Sequence, residues 1–158
     1  MNIYRVKSMA NMYRVSSIVL LMPGVAALML PGCKQQEISQ KFTVVTFKQL
    51  ISNPNKYDGK DIEIEGYFYQ GFETIVLSER LDPSGFMEGH LVPKGHMLWI
   101  EGGIPREIYD RLEQQQMMGP TERYGKVVMN GLFEYGGEYG HLGQFESQLI
   151  PSSVVLLK

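Results

Sequence analysis

The sequence predicts a mainly β domain with minor α: a five-stranded, partly open barrel with one helix before the first strand and one between the third and fourth. Three observations predict it. The stretch DIEIEGYFYQ, Asp61 to Gln70, alternates apolar and polar residues, the period of a half-buried antiparallel strand. A glycine falls at the same place in two such stretches, Gly66 in IEGYF and Gly131 in MNGLF, and mid-strand glycines mark bulges or bends at barrel corners. One amphipathic segment, with Ile104, Ile108 and Leu112 at i, i+4 and i+8, separates the third strand from the fourth.

Each element has its own signal. Thr46 and Gln49 fit a capping box, so a short helix starts there with Phe47, Leu50 and Ile51 on its apolar face. Asn53-Pro54 stops it, and Asn55 to Lys60 is turn chemistry. In the first strand Ile62, Ile64, Gly66 and Phe68 point inward. Its hairpin partner, Glu73 to Arg80, follows a turn at Gln70-Gly71-Phe72. His96 to Glu101 is the third strand. Pro105 suits the first turn of the second helix and Gly119-Pro120 closes it. Gly125 to Tyr135 is the fourth strand and Gly143 to Ile150 the fifth, with Ser152 to Lys158 extending the edge. Gly136 to Gly143, four glycines in eight residues, reads as a flexible hairpin loop between them.

This strand and helix order matches the OB-fold. The segments GKDIEIEGYF and GKVVMNGLFE resemble the bacterial OB-fold-like domains typed as tRNA_anti-like. TFKQLISNPNKYDGKDIEIEGYF and GHLGQFESQLI resemble a set of uncharacterised exported bacterial proteins over Thr43 to Lys158. The resemblance implies the fold and carries no catalytic residues.

The chain ahead of this body carries an address. Arg5, Lys7 and Arg14 precede nineteen uncharged residues, Val15 to Cys33, broken by Pro23-Gly24 and ended by Pro31-Gly32. A basic start, an apolar middle and small residues before a cut make an export signal. Leu30-Pro31-Gly32-Cys33 resembles the bacterial lipobox, which implies that Cys33 becomes the lipidated first residue. Cys33 is the only cysteine, so it has no disulfide partner within the chain, and acyl chains account for it. The expected organisation is a signal peptide over 1–32, a lipidated Cys33 and tether over 33–43, and the OB-like domain over 44–158. Lys34 follows the cysteine where retained inner-membrane lipoproteins carry Asp, which implies the periplasmic face of the outer membrane.

Without its first 32 residues the chain has 12 basic and 17 acidic side chains, a balance of −5. That offers no electrostatic footprint for nucleic acid. His90, His96 and His141 match no compact metal motif, so no metal or other cofactor is expected. No nucleophile elbow occurs, and Asp61, Glu63 and Glu65 alternate on one solvated strand face, so no catalytic residue is expected. The aromatics point elsewhere. Tyr67, Tyr69 and Phe72 approach the first hairpin turn; Tyr135, Tyr139 and His141 lie by the last loop, and in an OB barrel both loops border one binding side. The expected function is a membrane-tethered, non-catalytic binding module for an envelope protein or glycan. Alternatives are an inhibitor or immunity-type lipoprotein against a toxin or lytic enzyme, whose acidic surface suits basic enzymes, or a small metal-handling protein.

Overall fold

The structure, a computed structural model, describes residues 41–117 and 119–158. The expected signal peptide, the lipidation site Cys33 and all but the end of the tether lie outside the described residues.

The body is mainly β. Among the described residues seven strands form one sheet: β1 (Thr43–Val45), β2 (Lys60–Gly71), β3 (Thr74–Pro83), β4 (Leu91–Ile100), β5 (Glu113–Gln115), β6 (Glu122–Tyr139) and β7 (Phe145–Leu156). Their order is β1-β2-β3-β4-β7-β6-β5, and β2 also pairs with β6. The sheet is therefore partly ringed: β2, β3, β4, β7 and β6 lead back to β2. Five strands were expected. The two additions, β1 and β5, are three-residue pieces laid parallel on β2 and antiparallel on β6.

The helices are shorter than the sequence suggests. Helix α1 (Phe47–Ser52) has the expected capping box: the Gln49 N–H donates to Thr46 Oγ1 at 3.3 Å and the Thr46 N–H to Gln49 Oε1 at 2.8 Å. Asn53 ends α1, but Pro54 then opens a second short helix, α2 (Pro54–Tyr57), because its missing N–H costs nothing in a first turn. The expected second helix survives only as α3 (Arg106–Tyr109). Residues after Leu112 leave the helical path because Glu113 to Gln115 find ladder partners on β6. Tertiary pairing overrides helix propensity here.

Strand β4 begins five residues before the expected start, in LVPKG. Gly95 and His96 together oppose Glu79 between the Ser78–Met97 and Arg80–Lys94 pairs, with Gly95 at φ +78°. A left-handed glycine at a bulge keeps the strand running. Pro93 is tolerated because β7 meets β4 only at Trp99 and Ile100, leaving one edge of β4 without a ladder at Pro93. Likewise β6 runs on through Gly136 and Gly137, so the expected loop shrinks to Gly140–Gln144.

The core is the inner face of the ring. Ile62, Ile64, Phe68, Leu77, Met129 and Phe133 are almost fully buried, and Phe47, Leu50 and Tyr57 of the short helices pack onto the same cluster. Each such side chain contributes roughly 1.5–3 kcal/mol. Both mid-strand glycines serve close approach. A Cβ at Gly66 would meet Ser78 O at 2.9 Å and the Phe47 ring at 3.0 Å. At Gly131 it would collide with the Ile150 carbonyl, beside a bulge where Asn130 pairs with Ser153 and Gly131 with Pro151. Gly131→Ala should therefore destabilise the domain by roughly 1–3 kcal/mol, the range of overpacking, read as a lowered urea midpoint. An unchanged midpoint would mean that the β6–β7 ladder yields without cost.

Candidate functional site

Two tight turns meet on the outer face of the sheet. The β2–β3 turn closes over Phe72 and Glu73, between the ladder pair Gly71–Thr74. The β6–β7 turn runs from Gly140 (φ +73°) through a single 3₁₀ turn, His141–Gly143. His141 Nε2 lies 3.3 Å from a Glu73 carboxylate oxygen and bridges the two. Among the described residues, Glu73 (φ +55°) and Leu142 (φ +58°) alone hold a left-handed backbone without being glycine. Left-handed L-residues cost roughly 1–2 kcal/mol, and such strain concentrates at functional sites. Here the two strained residues sit in the two joined turns. Their neighbours stand in solvent: Phe72 is 69% exposed, and Leu142 itself 80%.

Beneath the turns lies Trp99. Leu98 and Ile100 of β4 are buried inward, so alternation sends Trp99 outward. Its indole packs on Phe145, ring centroids 5.6 Å apart at 40°, and Trp99 Nε1 donates to Glu101 at 3.0 Å. Gly140 lies against the indole so closely that a Cβ would stand 2.6 Å from it. Trp99, Gln70, Thr74, Ile75, Glu73 and His141 line a cleft of about 360 Å³. Two carboxylates, Glu73 and Glu101, and one histidine flank the indole, so the cleft suits hydroxyl or cationic groups better than anions.

The expected rim residues divide. Phe72 and His141 reach these turns. Tyr67 is half-buried on the outer face at a different pocket, with Leu81, Leu91 and Tyr124. Tyr135 lines a slot of about 190 Å³ against α1, and its N–H donates to Asp58 Oδ1 at 2.9 Å. Tyr139 pairs with Phe145 on the ladder and lays its ring over Gly137, where a Cβ would be 2.5 Å away. Its phenol titrates above the usual range, through desolvation and the nearby Glu134 and Asp58 carboxylates. Trp99, Phe145, Glu73 and Leu142 were missed. The outward position of Trp99 was legible in HMLWIE once Leu98 and Ile100 were read inward; the other three depend on which turns meet.

Tyr69 is 6% exposed and belongs to a buried polar cluster rather than to the rim. His90, in the stretch between the second and third strands read from the sequence, is 3% exposed, its Nε2 2.9 Å from Glu122 Oε2. Gln115 Nε2 donates to the same oxygen at 2.7 Å, and Gln115 Oε1 accepts the Leu91 N–H at 3.0 Å. The end of the β3–β4 hairpin is thereby tied to β5 and β6. The three histidines lie apart, and among the described residues no three His, Cys, Asp or Glu side chains stand together to hold a metal.

Burial first, and then the Glu122 carboxylate, raise the Tyr69 phenol well above its ordinary 10.0. A raised folded-state value stabilises the fold below the unfolded value and loses that contribution as pH rises past it. Stability should therefore fall from about pH 10 upward, and Tyr69→Phe should flatten that fall. Urea denaturation at neutral pH and in strong alkali measures both; parallel curves for the two proteins would remove Tyr69 from the alkaline transition.

No family model, no curated protein and no solved structure matches this chain.

Proposed function

We propose that the chain is a lipid-tethered protein of the bacterial cell envelope, anchored through Cys33, whose body is an OB-like barrel acting as a non-catalytic binding module. Its partner is an envelope protein seated on the two joined turns. The order β2-β3-β4-β7-β6 with a return to β2, a parallel β4–β7 link and a helix after β4 supports the OB-like reading. One observation carries the binding reading: two backbone-strained turns, bridged by Glu73 and His141, hold Phe72 and Leu142 out in water. Exposed apolar side chains on a rigid, acidic-edged rim fit a protein surface that offers apolar pockets and basic neighbours. A glycan is the second reading, favoured by the indole of Trp99 among the polar groups of Gln70, Thr74 and Glu73.

Leu142→Gly separates binding from folding. It removes an exposed side chain and relieves a left-handed backbone, so the urea midpoint should hold or rise. Capture of the partner from envelope extract by the full chain should weaken by roughly 1–3 kcal/mol in Leu142→Gly and in Phe72→Ala. Capture unaffected by both variants would overturn the rim, and capture that survives protease treatment of the extract would favour the glycan. Cys33→Ser should leave the membrane fraction after a carbonate wash; retention would mean that the apolar segment itself is the anchor.

A further inference from the structure

A second pocket, sharing no lining residue with the turn cleft, lies where the β3–β4 hairpin faces strands β2 and β6. Its volume is about 370 Å³, within the size range of small-molecule sites. Tyr67 and Tyr124 come from the sheet, Leu81 and Leu91 from the hairpin, and Leu156 from the end of β7. The walls are held. Gln115 bonds both the N–H and the carbonyl of Leu91, at 3.0 and 2.5 Å, and is itself bonded to Glu122. His90, next to Leu91, is locked on the same carboxylate. The hairpin wall is therefore pinned by partly buried polar contacts, which cost free energy to break.

The electrostatics reverse those of the turn cleft. Three cationic side chains reach this pocket, Arg111, Lys126 and Lys158, with one carboxylate side chain, Glu113, on a body whose overall side-chain balance is −5. Lys126 is paired with Glu65 at 2.6 Å. Arg111 is exposed and makes no side-chain hydrogen bond or ion pair with the described residues. A guanidinium beside two phenol rings and a leucine wall suits a flat apolar group ending in an anion such as a carboxylate.

We infer that this pocket binds a small aromatic carboxylate, its ring between Tyr67, Tyr124 and the hairpin leucines and its carboxylate on Arg111. The inference does not rest on the protein-binding reading of the turns. No covalent step is involved.

Three probes that share one ring test it by titration calorimetry on the full chain: 4-hydroxyphenylacetate, its neutral alcohol tyrosol, and the cation tyramine. The acid should bind tightest, roughly fivefold better than the alcohol, the gain expected of one partly exposed ion pair. Tyramine should bind weakest. Arg111→Gln, an exposed change that leaves the fold intact, should lower the acid to the affinity of the alcohol and leave the alcohol unchanged. Leu91→Trp, which fills the pocket, should abolish binding of all three. The inference is overturned if none of the probes saturates at millimolar concentration, if the acid has no advantage over tyramine, or if Arg111→Gln leaves the acid unaffected.

Discussion

Strand β2 is hydrogen-bonded along both edges, and the rest of the molecule depends on that. On one side it carries the long antiparallel ladder with β6, from Lys60–Phe133 to Gln70–Arg123; on the other it carries β1 and then β3. A strand paired on both sides in this way has no free edge to fray. Its inward residues Ile62, Ile64 and Phe68 are almost fully buried in the core cluster. Gly66 is the exception that allows it. Without a side chain there, the Ser78 carbonyl of β3 and the Phe47 ring of α1 can both approach the strand.

Because the ring is drawn tight at β2 and β6, its slack collects elsewhere. The β4–β7 link has only the pairs Trp99–Gln148 and Ile100–Leu149, and below it the strands part over the slot closed by α1. The apolar helix face is therefore a plug: Phe47 and Leu50 complete a core that the strands alone leave open. Glu73 takes its left-handed angle inside the two-residue β2–β3 turn and Leu142 inside the 3₁₀ turn between β6 and β7. The two turns converge beside Trp99, where His141 meets Glu73.

Charge divides the surface into two kinds of opportunity. Around Trp99 the groups are carboxylates and hydrogen-bonding side chains; around Tyr67 and Tyr124 they are mostly cations. Both regions lie on the outer face of the sheet, and the Tyr69, Glu122, Gln115 and His90 cluster uses part of that face for structure. An outward residue is thus not free by virtue of facing out. Tyr69 follows the alternation of β2 and is nonetheless buried, its phenol bonded to Glu122, the carboxylate that also holds His90 of the hairpin end.

By itself the sequence determined what depends on near neighbours. The alternation of Asp61 to Gln70 and the capping box at Thr46 and Gln49 are local chemistry, and both reappear in the fold. The strand assignments of Leu91 to Gly95, Glu113 to Gln115 and Gly136 to Tyr139 were decided by tertiary structure. Pro93, Gly95 and Gly136 carry loop signals, and Glu113 to Gln115 continue a helical period. Only a ladder partner distant in sequence gives their backbone groups a better place to bond. The same holds for the sites. Phe72 and His141 could be placed near turns from sequence, but the pairing of those turns, the exposure of Leu142 and the company of Arg111 with two tyrosines all require residues far apart in the chain. Such proximity is created by ring closure, and no local pattern encodes it.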